Sequence, residues 1–191
     1  MQAKEDNHEE LIAGCLRKDR RSQQRMYEIF YGKMLAICMR YTKNVDQAQD
    51  LVQEGFIKVF DNLGKYKHDG SFEGWVRRIF VNNAIDSFRR KKHDHILPDS
   101  DLQLINLADD TDEHAFFEEQ LQEIRPEDVM VAMQQLTPAY QMVFNLYVME
   151  NMSHQDIADK LGINVGTSKS NLSKARVNMK KILAKQFKHL Q

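Results

Sequence analysis

From Leu11 to Tyr41 apolar residues recur at spacings of three and four: Leu11, Ile12, Cys15 and Leu16, then Met26, Tyr27, Ile29, Phe30, Met34, Leu35, Ile37, Cys38 and Tyr41. That period predicts two amphipathic helices with a polar break at Asp19-Arg20-Arg21-Ser22. A cleaner stripe follows from Asp46, with Ala48, Leu51, Val52, Gly55, Phe56, Val59 and Phe60 on one side. Asp46, Gln47, Asp50, Gln53, Glu54 and Lys58 take the other side. A polar helix face is ordinarily just solvated, and periodicity alone assigns it no partner.

Lys65-Tyr66-Lys67-His68-Asp69-Gly70-Ser71 reads as a loop of interleaved basic and aromatic residues, with Ser71 as N-cap of the next helix. That helix, Phe72 to about Lys92, is expected to bury Trp75, Val76, Ile79, Phe80, Ala84, Ile85 and Phe88. Asn82, Asp86 and Arg89 share a polar face on which Asp86 can pair with Arg89 or Arg90. Arg77, Arg78, Arg89, Arg90, Lys91 and Lys92 make the helix strongly cationic, above all at its end. Two explanations stand side by side: cations complement the negative end of the helix dipole, or they track phosphates while Tyr66 and Trp75 stack on unpaired bases.

Residues 93–126 change character, with Asp and Glu dominating between Pro98 and Pro126 and only Phe116, Phe117, Leu121 and Ile124 suggesting a short helix. The stretch reads as a linker. A second unit begins near Glu127: Val129, Met130, Met133 and Leu136 form one stripe. Thr137 caps a helix opened by Pro138, with Val143, Phe144, Leu146, Tyr147 and Met149 as its core face. Ser153 then caps a helix carrying Ile157, Ala158 and Leu161, and Gly162 ends it. The segment from Val165 keeps Leu172 and Ala175 inward, leaving Lys169, Ser170, Asn171, Ser173, Lys174 and Arg176 mainly on outer faces. Such a helix-turn-helix can place its second helix in a DNA major groove, although a hairpin with a solvated basic face fits the same pattern. The fold class is all-α: two small helical domains, 11–92 and 127–185, joined by the acidic linker 93–126.

The net charge of −1 would argue against a polyanion partner if it were evenly spread. It is not. Residues 1–92 carry 18 Lys and Arg against 13 Asp and Glu, residues 93–128 carry 1 against 12, and residues 129–191 carry 8 against 3. Two basic blocks flank an acidic one, so attraction to nucleic acid applies block by block. Cys15 and Cys38 have no neighbouring sulfur at ligand spacing and read as reduced, partly buried thiols. His68-Asp69 and His93-Asp94-His95 lack the third partner that catalysis or a metal would need, so neither an enzyme nor a bound cofactor is expected. No apolar run has spanning length, and a cytoplasmic protein is expected.

With these pieces in order, the chain resembles bacterial RNA polymerase sigma factors of the extracytoplasmic-function group of the sigma-70 family. The stretches that carry the likeness are Asp46 to Phe60, Phe72 to Arg90, Leu136-Thr137-Pro138 and the helix-turn-helix with Gly166-Thr167-Ser168-Lys169-Ser170. The resemblance implies a non-catalytic subunit that binds core polymerase and opens promoters. It would assign Asp50, Gln53, Glu54 and Lys58 to the clamp helices of the largest polymerase subunit. Lys65, Tyr66, Phe72, Trp75, Arg77, Arg78, Asn82, Asp86, Arg89 and Arg90 would melt and read the minus ten element. Thr167, Lys169, Ser170, Asn171, Lys174 and Arg176 would read the minus thirty-five element as duplex. The linker would thread toward the RNA path, and an anti-sigma protein is a further conceivable partner. Two positions depart from the family pattern: Ser168, where an apolar Val is usual, which is expected to weaken helix packing slightly, and Asn171, where Arg is common. A helix-turn-helix regulator acting without polymerase is the alternative reading.

Overall fold

A computed structural model describes residues 2–93 and 124–188. Among them are eight α-helices, in two compact units that divide between Asp86 and Ser87, near the end of the fourth helix. In the first unit, α1 (Gln2–Leu16) and α2 (Arg20–Met39) are separated by a short turn. The turn ends at Asp19, whose carboxylate accepts from the Ser22 amide at 2.9 Å and the Ser22 hydroxyl at 2.6 Å, so α2 already includes Arg20 to Ser22. Helix α3 (Val45–Asn62) starts where Asn44 Oδ1 accepts from the Gln47 amide at 2.9 Å. A 3-10 turn, Leu63–Lys65, leads through the aromatic loop to α4 (Phe72–His93).

The buried stripe of α3 is Ala48, Leu51, Val52, Gly55, Phe56 and Val59. It joins Met26, Phe30, Met34 and Cys38 of α2 and Val76, Phe80 and Ala84 of α4 in one core. Gly55 is where α3 lies against Phe80: a Cβ built there would fall 2.4 Å from the ring. Asn83, fully buried, donates Nδ2–H to Leu51 O at 3.2 Å and ties α4 to α3 with a polar link. Trp75, Ile79 and Phe88 are only partly buried, and Leu16, expected on the apolar stripe of α1, is 52% exposed at the helix end.

In the second unit, α5 (Pro126–Gln135) is followed by α6 (Pro138–Phe144), capped by Thr137 and running into a π-helical turn, Asn145–Met149. The Glu150 amide reaches Asn145 O at 3.1 Å, five residues back. That wider turn moves the stripe on: Tyr140, Gln141, Met142, Val143, Asn145 and Leu146 are buried, whereas Met149, expected in the core face, is 41% exposed. Helices α7 (His154–Leu161) and α8 (Val165–Lys188) complete the unit, and α8 packs against α5, α6 and α7 in turn. Most of the linker, with Phe116, Phe117 and Leu121, lies outside the described residues. So does the Asp94-His95 pair.

Candidate functional site

On α3 the side opposite the core shows Asp50, Gln53 and Glu54 exposed, with Ile57 62% exposed on the same face. Ile57 is i+7 from Asp50 and i+3 from Glu54, so it is a large apolar side chain set into a polar stripe. Periodicity alone does not single it out, because an apolar residue in an amphipathic helix reads as core. Lys58 is partly buried, and its Nζ lies 3.0 Å from Asp86 Oδ2 on α4. Asp86, for which Arg89 and Arg90 were the expected partners, thus has one on the neighbouring helix.

The loop after α3 is built around Tyr66. Its hydroxyl donates to Gly70 O at 2.9 Å, and Gly70 takes φ 90°, which closes the loop on itself. The Tyr66 ring lies 4.6 Å from that of His68, 5.1 Å from Phe72 and 5.5 Å from Trp75, and Phe72 and Trp75 stack at 5.7 Å. Phe72 is 5% exposed and rests on Phe30, so it faces inward and supports the cluster rather than offering a free ring face. Tyr66 and Trp75 are half-buried. Ser71 Oγ accepts from the Gly74 amide at 3.1 Å and starts α4 as expected. Lys65 donates to Asn62 Oδ1 at 2.7 Å. Along α4, Arg78, Asn82, Asp86 and Arg89 are exposed at steps of four, four and three, a single stripe, with Arg90 exposed beside it and Arg77 half-buried.

In the second unit Ser153 Oγ accepts from the Asp156 amide at 3.1 Å, while Asp156 Oδ2 accepts from the Ser153 amide at 3.2 Å. Asp156 Oδ2 also accepts from the Ser153 hydroxyl at 2.6 Å, and this bond, followed by that from the Ser153 amide, holds the Asp156 carboxyl below its ordinary range. Gly162, at φ 62°, ends α7, and Ile163 N–H returns to Ala158 O at 3.1 Å. Asn164 Oδ1 accepts from the Thr167 amide at 2.6 Å and begins α8. Lys169, Ser173 and Arg176 line a shallow depression of about 350 Å³ with Tyr147, His154 and Lys180. Thr167, Ser170, Asn171 and Lys174 form the neighbouring stripe. Ser168 is buried completely, and its hydroxyl is 2.9 Å from His154 Nδ1, so the polar atom placed in the packing has a partner.

Among the described residues no group of three or more His, Cys, Asp or Glu could hold a metal ion, and no helix is long and apolar enough to cross a membrane.

The Sigma-70 region 2 family matches residues 26–93, and the Sigma-70, region 4 family matches residues 127–179. The chain is 30% identical over 168 residues to the ECF RNA polymerase sigma factor SigE of Mycolicibacterium smegmatis, covering 87% of this chain and 60% of that one. It is 29% identical over 192 residues to the RNA polymerase sigma-H factor of Pseudomonas aeruginosa, covering 94% and 95%. With the ECF RNA polymerase sigma factor SigW of Bacillus subtilis it shares 28% over 167 residues, 82% of this chain and 86% of the relative. Among solved structures, the sigma factor RpoE in complex with the anti-sigma factor NepR from Bartonella quintana aligns at a TM-score of 0.49 and 20% identity, covering 84% of this chain and 96% of that one.

Proposed function

We infer the roles of the two helical units from one premise: this chain belongs to the sigma-70 family, in its extracytoplasmic-function group. It acts as a promoter-recognising initiation factor. The match to region 2 over 26–93 removes the alternative of a regulator working without polymerase. As proposed, the protein is a non-catalytic, cytoplasmic subunit. Its outer α3 face, Asp50, Gln53 and Glu54 with Lys58 at its margin, takes the clamp helices of the largest subunit of core RNA polymerase. Trp75 and Tyr66, backed by Phe72, supply ring faces for bases leaving the duplex, while Lys65, Arg77, Arg78, Asn82, Asp86, Arg89 and Arg90 clamp and read the minus ten strand. In the second unit, Thr167, Lys169, Ser170, Asn171, Lys174 and Arg176 meet the minus thirty-five duplex. The domain limits 11–92 and 127–185, with an acidic linker directed to the RNA path, belong to the same proposal. An anti-sigma protein as inhibitory partner rests on the family alone.

The observation that carries this reading is the unbroken exposed stripe Arg78, Asn82, Asp86 and Arg89, which starts at the aromatic cluster around Trp75 and continues to the cationic end of α4. A helix whose polar face merely met water would have no need to align it with a ring cluster. Run-off transcription with core polymerase tests the reading. A promoter-specific transcript that requires this protein is expected. Failure to bind core polymerase, or transcription no different from core alone on every candidate promoter, overturns it.

A further inference from the structure

Two side chains of α8 that face different ways are both tied to one aromatic ring outside that helix. Tyr147, in the π-helical turn, stacks on His154 at 4.6 Å with 25° between the ring planes. His154 Nδ1 in turn meets the hydroxyl of Ser168 at 2.9 Å. The guanidinium carbon of Arg176 lies 5.8 Å from the centre of the same Tyr147 ring. Ser168 and Arg176 are two helical turns apart, one buried and one exposed. Beyond the packing of Leu172, Ala175 and Met179, two attachments separated along the axis further restrain the rotation of the helix.

We propose that Tyr147 is the positioning residue for DNA reading by α8. Its ring sets the direction of the Arg176 guanidinium directly, and through His154 and Ser168 it sets the roll of the first turns, where Lys169, Ser170 and Asn171 project. A cation held over an aromatic face keeps its remaining N–H donors pointed outward, and it loses less freedom when it meets DNA than an unrestrained arginine does. The π-turn supports the assignment. Such turns are rare and frequently lie at functional sites, and this one carries Tyr147. Packing alone explains a half-buried tyrosine but not why its ring is shared between a buried link and an exposed cation.

The inference rests on the promoter-reading role proposed above, and the experiment separates the two. Full-length protein is assembled with core polymerase, and binding is measured on promoter fragments with an intact or a scrambled upstream element. Tyr147→Leu is expected to weaken binding to the intact fragment about threefold to tenfold, the range of a cation–π contact. It leaves the scrambled fragment unchanged, and Tyr147→Phe, which keeps the ring, stays near wild type. In an Arg176→Ala background, Tyr147→Leu is expected to add only the smaller part that runs through His154. That part is measured separately with His154→Ala, which keeps the ring and guards against a misfolded Leu variant. Full additivity of Tyr147→Leu with Arg176→Ala, or equal losses on both fragments, overturns the positioning role while leaving the family role intact. Wild-type protein with no preference for the intact fragment overturns both.

Discussion

Lys58 and Asp86 lie on different helices and belong to surfaces proposed for different partners, yet Lys58 Nζ is 3.0 Å from Asp86 Oδ2. The pair joins the margin of the α3 side proposed to meet polymerase to the α4 stripe proposed to meet the promoter. Both side chains are substantially exposed, at 37% and 51%, so water screens the attraction, and exposed pairs contribute about 0.2–1 kcal/mol. Lys58→Ala and Asp86→Ala are therefore expected to lower thermal stability by no more than a few degrees, with a small coupling in a double-mutant cycle. The charge-reversed pair Lys58→Asp with Asp86→Lys should regain the coupling but not promoter-dependent transcription. Recovery of transcription by the reversed pair would mean that the two residues serve the fold and contact neither partner.

Gly55 should tolerate no side chain. A Cβ at that position would lie 2.4 Å from Phe80 Cε1, and the Phe80 ring also meets Phe56 edge-on at 5.3 Å, which limits its retreat. Gly55→Ala is expected to cost about 1–3 kcal/mol through overpacking, despite the better helix propensity of alanine. Urea unfolding monitored by circular dichroism would show it as a lower midpoint at unchanged slope.

How much of this was legible beforehand depends on the range of the interaction. The buried stripe of α3 was readable because Ala48, Leu51, Val52, Gly55, Phe56 and Val59 repeat within one helix. Thr137, Ser153 and Gly162 were readable because caps act within a few residues. The Lys58–Asp86 pair spans 28 residues and the His154–Ser168 bond 14, and no local period encodes either. Met149 was misassigned because a 3.6-residue period was carried through a π-turn.

Cys15 and Cys38 should be poor nucleophiles in the native protein. Burial pushes their thiols up, to about 11 for Cys15, with Asp19 adding to the rise, and to about 12 for Cys38. Since the thiolate is the reactive form, alkylation by iodoacetamide at pH 8 is expected to be far slower than for an unfolded control, with Cys38 the slower of the two. Fast labelling of either cysteine in the folded chain would contradict this.

The start of the helix-turn-helix should weaken in acid. The Asp156 carboxyl sits below its ordinary range because the Ser153 hydroxyl and amide donate to it and Lys160 lies near. A depressed carboxyl stabilises the fold in full above its unfolded value, about 3.9, and the contribution is lost as the pH falls through the folded value. Asp156→Asn should remove that acid-dependent part of the stability, and Ser153→Ala should reduce it while costing about 1 kcal/mol at neutral pH through the lost cap. Thermal midpoints between pH 6 and 2 would test this, and parallel curves for wild type and Asp156→Asn would count against it.

Ile57 offers the sharpest separation of fold from function. At 62% exposed it contributes little to the core of its unit, and truncation should leave stability within about 0.5 kcal/mol, as for most surface positions. On the proposed α3 interface, however, it is the large apolar side chain flanked by Asp50, Gln53 and Glu54, the arrangement in which a buried anchor carries much of an interface's energy while polar neighbours exclude water. Ile57→Ala is therefore expected to weaken assembly with core polymerase by about tenfold, the effect of losing roughly 1.4 kcal/mol. Ile57→Glu, which also introduces repulsion beside Asp50 and Glu54, should weaken it further. Duplex binding by the helix-turn-helix should not change. Competition for core polymerase between wild-type and variant protein reads the effect directly, and wild-type competition by Ile57→Glu would exclude this face of α3 from the interface.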